Sequence, residues 1–167
     1  MQPHHISASP VTPPAAELPP PQAVDHIVRT YHVTLRADLL QTRNLFGQAL
    51  APAPSAQRAL LEEMDSIFSA LSEELYAHMD KEEKVLFPWI RAGRGASARA
   101  PIKVMQHEHQ QTRELLARLR TLSERSLAEG AADPLAQSIA ARLVAIESAL
   151  LEHMDVEESL FRRVLSP

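Results

Sequence analysis

Hydrophobic residues recur at alternating steps of four and three along most of the chain, which is the spacing of helices that bury one side. Proline, glycine and runs of small residues interrupt the pattern three times, so four helices are predicted. We expect them from about Val24 to Leu50, from near Ser55 to about Arg91, from Pro101 to about Glu129 and from Pro134 onwards, with a small-residue loop from Ala92 to Ala100. The pattern predicts an all-α, up-down-up-down antiparallel four-helix bundle.

The apolar stripes of the predicted helices are interrupted by polar residues. On the first helix the stripe starts at Val28, and on the second it ends with Val85 and Trp89. Each of the four stripes contains a histidine, and in two of them a glutamate follows four residues later. The polar stripe residues are His32, His78, Glu82, His109, His153 and Glu157.

The first 22 residues do not follow this pattern. They contain seven of the 13 prolines, together with serine and alanine. Such a segment cannot bury enough apolar surface to fold, so residues 1–22 are predicted to form a disordered tail and residues 23–167 the bundle domain. His4 and His5 fall in this tail, and we interpret them as solvated residues.

Length, charge and cysteine content narrow the range of functions. The 167 residues fit one domain with a sizeable core, and the net charge of −4 argues against a nucleic-acid partner. The chain has no cysteine, which excludes disulfides, thiolate metal sites and cysteine nucleophiles. Neither an apolar run of the roughly 20 residues that span a membrane nor a secretory signal is evident. We therefore expect a soluble, cytoplasmic protein without a membrane partner.

The strongest chemical signal is a sequence repeat. His-Met-Asp-x-Glu-Glu occurs at residues 78–83 and again at residues 153–158. Residues four apart in a helix lie about 40° apart around the axis and one turn apart along it. His78 and Glu82 are therefore expected to point the same way. The same holds for His153 and Glu157.

The histidines of the four helices are predicted to share one level of the bundle. Counting from the helix ends places Glu82, His109 and His153 within about one turn, roughly 5 Å, of one another. His32 differs by a further turn, which the uncertainty of helix ends absorbs. His32 and His78 are 46 residues apart, and His109 and His153 are 44 apart. The chain therefore resembles one helical hairpin used twice.

Two interpretations of these six residues compete. A single histidine on an apolar stripe is usually a core residue bonded to a backbone carbonyl. Two buried glutamates without a lysine or arginine beside them, however, would each cost several kcal/mol, and a cation would satisfy all six side chains. The sequence therefore predicts two metal ions, bridged by Glu82 and Glu157, with two histidines on each ion and positions left open for a small ligand. Iron, manganese, zinc and copper all suit these ligands.

The six residues and their surroundings resemble the hemerythrin-like di-iron bundles and, in particular, the Repair of Iron Centers family of iron–sulfur cluster repair proteins. The resemblance covers residues 24–165. It implies two iron ions with an oxo or hydroxo bridge, reactivity with nitric oxide or peroxide, and restoration of damaged iron–sulfur clusters, with iron–sulfur proteins as partners and iron donation as one route. The segments that carry the resemblance are Asp25-His26-Ile27-x-x-x-Tyr31-His32, Glu73-Glu74-Leu75-x-x-His78-Met79-x-Lys81-Glu82-Glu83-x-x-Leu86-Phe87-Pro88 and Pro101-Ile102-x-Val104-Met105-x-x-Glu108-His109.

Two departures refine the hypothesis. Oxygen-carrying hemerythrins use a fifth histidine four residues from another on the third helix, whereas Met105 and Arg113 occupy those positions around His109. Members of the repair family commonly carry an N-terminal domain with a tandem-cysteine motif, so any step that needs those thiols is expected to be absent or supplied by a partner. Repair is the leading hypothesis. The alternatives are a reversible oxygen or nitric oxide sensor or carrier, and a helical interaction module with a structural metal site.

Three further residues are candidates for access or supporting roles. Glu74 lies one turn before His78 on the same face and could line an access route. Glu108 could support a metal ligand, although it lies about 100° from its neighbour His109 around the helix. Tyr31 could donate a hydrogen bond near the metals. An ordinary surface or packing role is the competing interpretation for each of them.

Overall fold

The computed structural model describes residues 17–53, 55–129 and 133–166, with the backbone alone for residues 55 and 56. Within these ranges the chain forms four long helices and no strand. Helix α1 comprises the segments Pro20–Ile27, Val28–His32 and Val33–Leu50, and α2 comprises Ser55–Lys81, Glu82–Leu86 and Phe87–Arg91. Helices α3 and α4 span Gly95–Glu129 and Pro134–Leu165. Most of the predicted tail, including His4 and His5, lies outside the described residues.

The four helices pack as a bundle. Helices α1 and α3 each pack against both α2 and α4. The connections between consecutive helices are short, so neighbouring helices run antiparallel. This confirms the predicted all-α four-helix bundle.

Helix α1 begins at Pro20, before the expected start near Val24. Proline suits the first turn of a helix because the N–H that it lacks would have no partner there. Ala23, Val24 and Ile27 are completely buried and anchor this turn to the rest of the bundle.

Helix α3 also begins early, at Gly95, so the predicted loop from Ala92 to Ala100 is wrong. The extra turns are stabilised by packing, because Ala98 is completely buried. Gly95 permits the close approach of α3 to the end of α4, since a Cβ there would lie 2.7 Å from the carbonyl oxygen of Val164. Pro101 is accommodated inside the helix, where it removes one backbone hydrogen bond.

The turn between α2 and α3 is closed by Gly93. Its φ of 68° lies in the left-handed region. The N–H of Gly93 donates to the carbonyl of Ile90, and that of Arg94 donates to the carbonyl of Trp89, so carbonyls at the end of α2 are satisfied. This backbone shape requires glycine.

Gly93→Ala and Gly47→Ala are expected to change stability in opposite directions. No atom lies within 4 Å of a Cβ built at either position, so the difference comes from the backbone alone. Alanine at position 93 adopts a disfavoured φ and should lower the free energy of unfolding by about 1 kcal/mol. Alanine in the α1 helix at position 47 should raise it by about 0.5–1 kcal/mol. Urea denaturation of both variants tests the pair, and equal effects would contradict it.

Two π-helical turns interrupt the regular helices. In α1 the N–H of Val33 donates to the carbonyl of Val28, and in α2 the N–H of Phe87 donates to the carbonyl of Glu82, five residues back in each case. His32 is the last residue of the first π turn and Glu82 is the first residue of the second. Both turns therefore lie beside candidate metal ligands, where such turns are often found.

The π turns change which residues face the core. A π turn holds one extra residue, so the buried face moves by one position across it. On α2 the buried residues after Glu82 are Leu86, Phe87 and Ile90, while Val85 is 41% exposed and Trp89 is only partly buried. On α1 Ile27 is buried instead of Val28. The assignment of Val85 to the core stripe was therefore wrong, whereas Val28 and Trp89 are partly buried and Val28 packs against buried apolar residues.

The buried apolar residues form two clusters. The larger cluster fills the half of the bundle near the α1–α2 and α3–α4 connections and includes Leu39, Phe46 and Phe68. The smaller one fills the other half and includes Phe87 and Phe161. The buried histidines and glutamates lie along the helices between them, as a polar layer.

Helix α4 is long and apolar enough, by length and composition alone, to cross a membrane, the one such helix within the described ranges. Its apolar residues include Ile139, Ile146 and Leu150, which are core positions of the bundle. The same side carries buried His153 and Glu157. We therefore interpret α4 as a core helix.

Candidate metal centre

The structure brings all six predicted polar stripe residues together in the layer between the two clusters. None of them is more than 5% exposed, and both glutamates are completely buried. Because each helix supplies one histidine and α2 and α4 each add a glutamate, the layer needs all four helices. The residues are His32, His78, Glu82, His109, His153 and Glu157.

The four histidines form two pairs. The rings of His32 and His153 have centroids 5.1 Å apart, and those of His78 and His109 have centroids 5.0 Å apart. The ligand atoms of His32, Glu82, His153 and Glu157 all lie within 4.8 Å of one another, as do those of His78, His109 and Glu157. Glu157 belongs to both groups.

The carboxylate of Glu157 lies between the two histidine pairs. Its Oε1 is 2.6 Å from Nε2 of His153 and 3.7 Å from Nε2 of His32. Its Oε2 is 3.1 Å from Nε2 of His109 and 4.0 Å from Nε2 of His78. The two oxygens therefore face different pairs.

The carboxylate of Glu82 has a similar position. Its Oε2 lies 3.4 Å from Nε2 of His32 and 3.5 Å from Nε2 of His78, which belong to different pairs. Neither Glu82 oxygen has a hydrogen-bond partner. A buried carboxylate in this state is costly unless a cation binds it.

Unsatisfied polar atoms concentrate in this layer. Within the described part of the chain, six of the eight buried side-chain nitrogen and oxygen atoms without a hydrogen-bond partner belong to these residues. They include Nε2 of His32 and His109 and Oε2 of Glu157, which all face the centre. Imidazole nitrogens and carboxylate oxygens converging in a dry site fit a transition-metal cation.

The two glutamates differ in their electrostatic surroundings. Burial raises the pKa of Glu82, and the charge of Glu157 raises it further. Burial also acts to raise the pKa of Glu157, but His153, His109 and His32 outweigh it and hold that pKa well below its usual value. Burial acts to lower the pKa of His32, yet the carboxylates of Glu157 and Glu82 raise it to about 10. Without a cation, a proton on His32 offsets part of the carboxylate charge, and a metal ion would replace it.

In three of the four histidines a carboxylate contacts Nδ1, the ring nitrogen that faces away from the centre. Nδ1 of His32 is 2.8 Å from Oε1 of Glu83, Nδ1 of His78 is 2.9 Å from Oε2 of Glu108, and Nδ1 of His109 is 3.2 Å from Oε1 of Glu158. A carboxylate at Nδ1 fixes the proton there and leaves Nε2 free to bind a metal. The structure thus orients these rings with Nε2 towards the centre.

The fourth histidine has different support. Nδ1 of His153 is buried without a hydrogen-bond partner. The ring of Tyr31 stacks on it, with centroids 5.2 Å apart and planes 10° apart. The Tyr31 hydroxyl donates to Oε1 of Glu152 at 3.0 Å, and burial followed by this contact raises its pKa to about 12. Tyr31 therefore positions the His153 ring rather than donating a hydrogen bond to a ligand.

The other two candidate supporting residues lie near His78. Glu108 reaches across from α3 to His78 on α2, rather than to its neighbour His109, and also pairs with Lys81. Burial acts against ionisation of Glu108, but contacts with His78 and Lys81 lower its pKa to about 2. Glu74 is exposed and lines a surface cleft together with His78. It has no direct contact with the centre among those that the structure describes.

Glu83 and Glu158 were missed in the sequence. A signal was present, because each is the second glutamate of a His-Met-Asp-x-Glu-Glu repeat. The first glutamate of each repeat faces the centre, and the second reaches a histidine on a neighbouring helix. The repeat therefore encodes an inner and an outer carboxylate.

Comparison with known proteins agrees with a cation-binding role for these residues. Residues 23–165 match the family model described as the hemerythrin HHE cation binding domain. The chain is 35% identical over 144 residues to the iron-sulfur cluster repair protein YtfE of Edwardsiella ictaluri, covering 83% of this chain and 63% of that protein. It is 38% identical over 100 residues to the iron-sulfur cluster repair protein DnrN of Neisseria gonorrhoeae, covering 60% and 62%. With YtfE of Salmonella newport it shares 31% identity over 147 residues, covering 86% and 65%. The matches thus span just under two thirds of these relatives.

Proposed function

Because the chain belongs to the hemerythrin HHE cation-binding family, we propose that its centre holds two iron ions and that the protein acts in the repair of iron–sulfur clusters under nitric oxide or oxidative stress. One ion would be held by His32 and His153, and the other by His78 and His109. Glu82 and Glu157 would bridge them. The similarity to proteins named for iron–sulfur cluster repair supports the physiological role.

A single observation carries the two-ion proposal. The two oxygens of Glu157 face different histidine pairs, at 2.6 Å from His153 and 3.1 Å from His109. One ion would engage one pair and leave the other pair with an uncompensated carboxylate oxygen. Zinc or manganese could occupy the same ligands. Iron is favoured by the similarity to the repair proteins.

The protein side chains would prepare this centre in three ways. The six inner residues bind the ions, and Glu83, Glu108 and Glu158 hold three imidazoles in the metal-binding tautomer. The two apolar clusters exclude water from both ends of the layer. When bound, iron supplies redox chemistry with small ligands such as oxygen, nitric oxide or peroxide, or is itself the cargo donated to an iron–sulfur protein. The cytoplasmic location expected from the sequence belongs to the same proposal.

Iron analysis with optical spectroscopy tests the proposal. We expect about two irons per chain in the purified protein and a near-ultraviolet spectrum that changes on addition of nitric oxide. The protein should also restore activity to an iron–sulfur enzyme damaged by nitric oxide, and a metal-depleted preparation is the control. Failure to restore activity with two irons bound would refute the repair role alone. A stable, reversible spectrum on cycling between air and vacuum would instead indicate an oxygen carrier.

A further inference from the structure

In the described part of the chain, residues of the polar layer line two surface clefts, and these residues belong to the same histidine pair. The first, of about 620 Å³, lies between α3 and α4, and His109 and Glu158 line it. The second, of about 170 Å³, lies between α2 and α3, and His78 and Glu108 line it. His32 and His153 line neither cleft. The two histidine pairs therefore differ in their access to solvent.

Aromatic rings stack on both histidines of the other pair, whereas among the described contacts of the cleft-lining pair only His109 has one, the ring of Phe161 at 6.2 Å. The ring of Phe87 stacks on His32 with centroids 5.8 Å apart, and the ring of Tyr31 stacks on His153 with centroids 5.2 Å apart. His32 and His153 are 1% and 2% exposed, against 5% and 4% for His78 and His109. An ion between His32 and His153 would therefore be more enclosed by aromatic rings than one between His78 and His109.

The clefts offer oxygen atoms suited to a departing cation. Glu158 and Glu108 each contact one histidine of the cleft-lining pair through Nδ1, and both remain partly exposed, as does Glu83 beside His32. Asp155 and Gln110 add oxygens to the first cleft, and Glu74 adds a carboxylate to the second. Arg113 and Arg162 also line the first cleft, and Lys81 lines the second. Because Arg113 pairs with Asp155 and Lys81 with Glu108, ferrous iron leaving the histidines would compete with these cations for the carboxylate oxygens.

From this asymmetry we propose that the two ions exchange at different rates, and that the ion held by His78 and His109 is the one released through the clefts. The ion held by His32 and His153 is retained longer. The inference rests on the two-ion centre proposed above and assigns the donated iron to one half of it. A protein that delivers iron can then release one ion without opening its core.

The kinetics of iron removal test this assignment. Protein loaded anaerobically with ferrous iron is mixed with an excess of a colour-forming ferrous chelator, and absorbance is followed with time. We expect two phases of equal amplitude, each equivalent to one iron. Glu158→Gln removes the carboxylate behind His109 and should accelerate the fast phase about tenfold, leaving the slow phase unchanged. Glu83→Gln is the matched change behind His32 and should accelerate the slow phase by a similar factor.

The release kinetics and the initial iron content test different parts of the proposal. Release of both irons at one rate would overturn the inference, as would acceleration of the fast phase by Glu83→Gln. The iron content measured before the chelator is added checks the underlying two-ion proposal separately, because one iron per chain would refute that proposal and the inference with it. Melting temperatures of the loaded variants establish that they are folded.

Discussion

Replacement of Glu157 by alanine is expected to reduce the metal content from the proposed two ions per chain to less than half an ion. The reason is that Glu157 is the one residue in both groups of converging ligand atoms, so its loss removes a ligand from each ion. The buried histidine pairs would also lose the negative charge that offsets bound cations. Metal analysis after gel filtration, by mass spectrometry, measures the effect.

A variant on the same helix provides the control for this experiment. Glu147→Ala removes a carboxylate of α4 that pairs with Arg120 at the surface and lies outside the polar layer. It should retain the full metal content. Full metal content in Glu157→Ala would show that the site is not built as proposed. It would favour the helical interaction module instead.

Glu82→Gln is expected to have opposite effects on stability with and without metal. In the metal-free protein Glu82 is completely buried, and neither of its oxygens has a hydrogen-bond partner. Burial and the nearby Glu157 disfavour its charge, so a neutral amide of similar shape should raise the free energy of unfolding. In the presence of metal the same change removes a bridging ligand. The wild type then gains up to about 4 kcal/mol from binding at a thousandfold excess over Kd, and the variant gains much less.

Urea denaturation of both proteins, with and without added metal, measures the two effects. Glu62→Gln is the matched control, because Glu62 is an exposed glutamate on the same helix. It should change neither value by more than a few tenths of a kcal/mol. A metal-free Glu82→Gln variant that is less stable than the wild type would contradict the interpretation of Glu82 as a carboxylate whose charge is disfavoured in the metal-free protein.

Most of the centre could be predicted from spacing alone. Within a regular helix, residues four positions apart lie on a common face. The sequence repeat therefore predicted that His78 and Glu82 share one face, and that His153 and Glu157 share another. The helix period held through α3, where Met105 and His109 are buried as predicted. The convergence of four helices then followed from antiparallel packing.

The predictions failed where the helix departs from its regular period. A stripe read at steps of three and four cannot account for the extra residue of a π turn, so Val85 was predicted to lie in the core and Leu86 was not. Nothing in the local sequence marks this π turn, which begins at the buried Glu82. The start of α3 failed for a related reason. Packing of Ala98 outweighs the preference of Pro101 for the first turn.

The outer carboxylates could not be placed by periodicity at all. Glu83, Glu108 and Glu158 lie beside the stripes, and each reaches a histidine on a different helix. Their role depends on the distance and rotation between two helices, which the sequence of one helix does not contain. The internal repeat was the available clue, since Glu83 and Glu158 occupy matching positions in it.

The division of the core into two apolar clusters has a consequence for cooperativity. Apolar contacts stop at the polar layer, so the smaller cluster around Phe87 and Phe161 is linked to the larger one mainly through the histidines and glutamates between them. In the metal-free protein the smaller half can open as a separate unit, and its amides would exchange with solvent before those of the larger half. Ions that join all four helices would merge the two halves. Metal loading would thereby decide whether the bundle unfolds in one step or two.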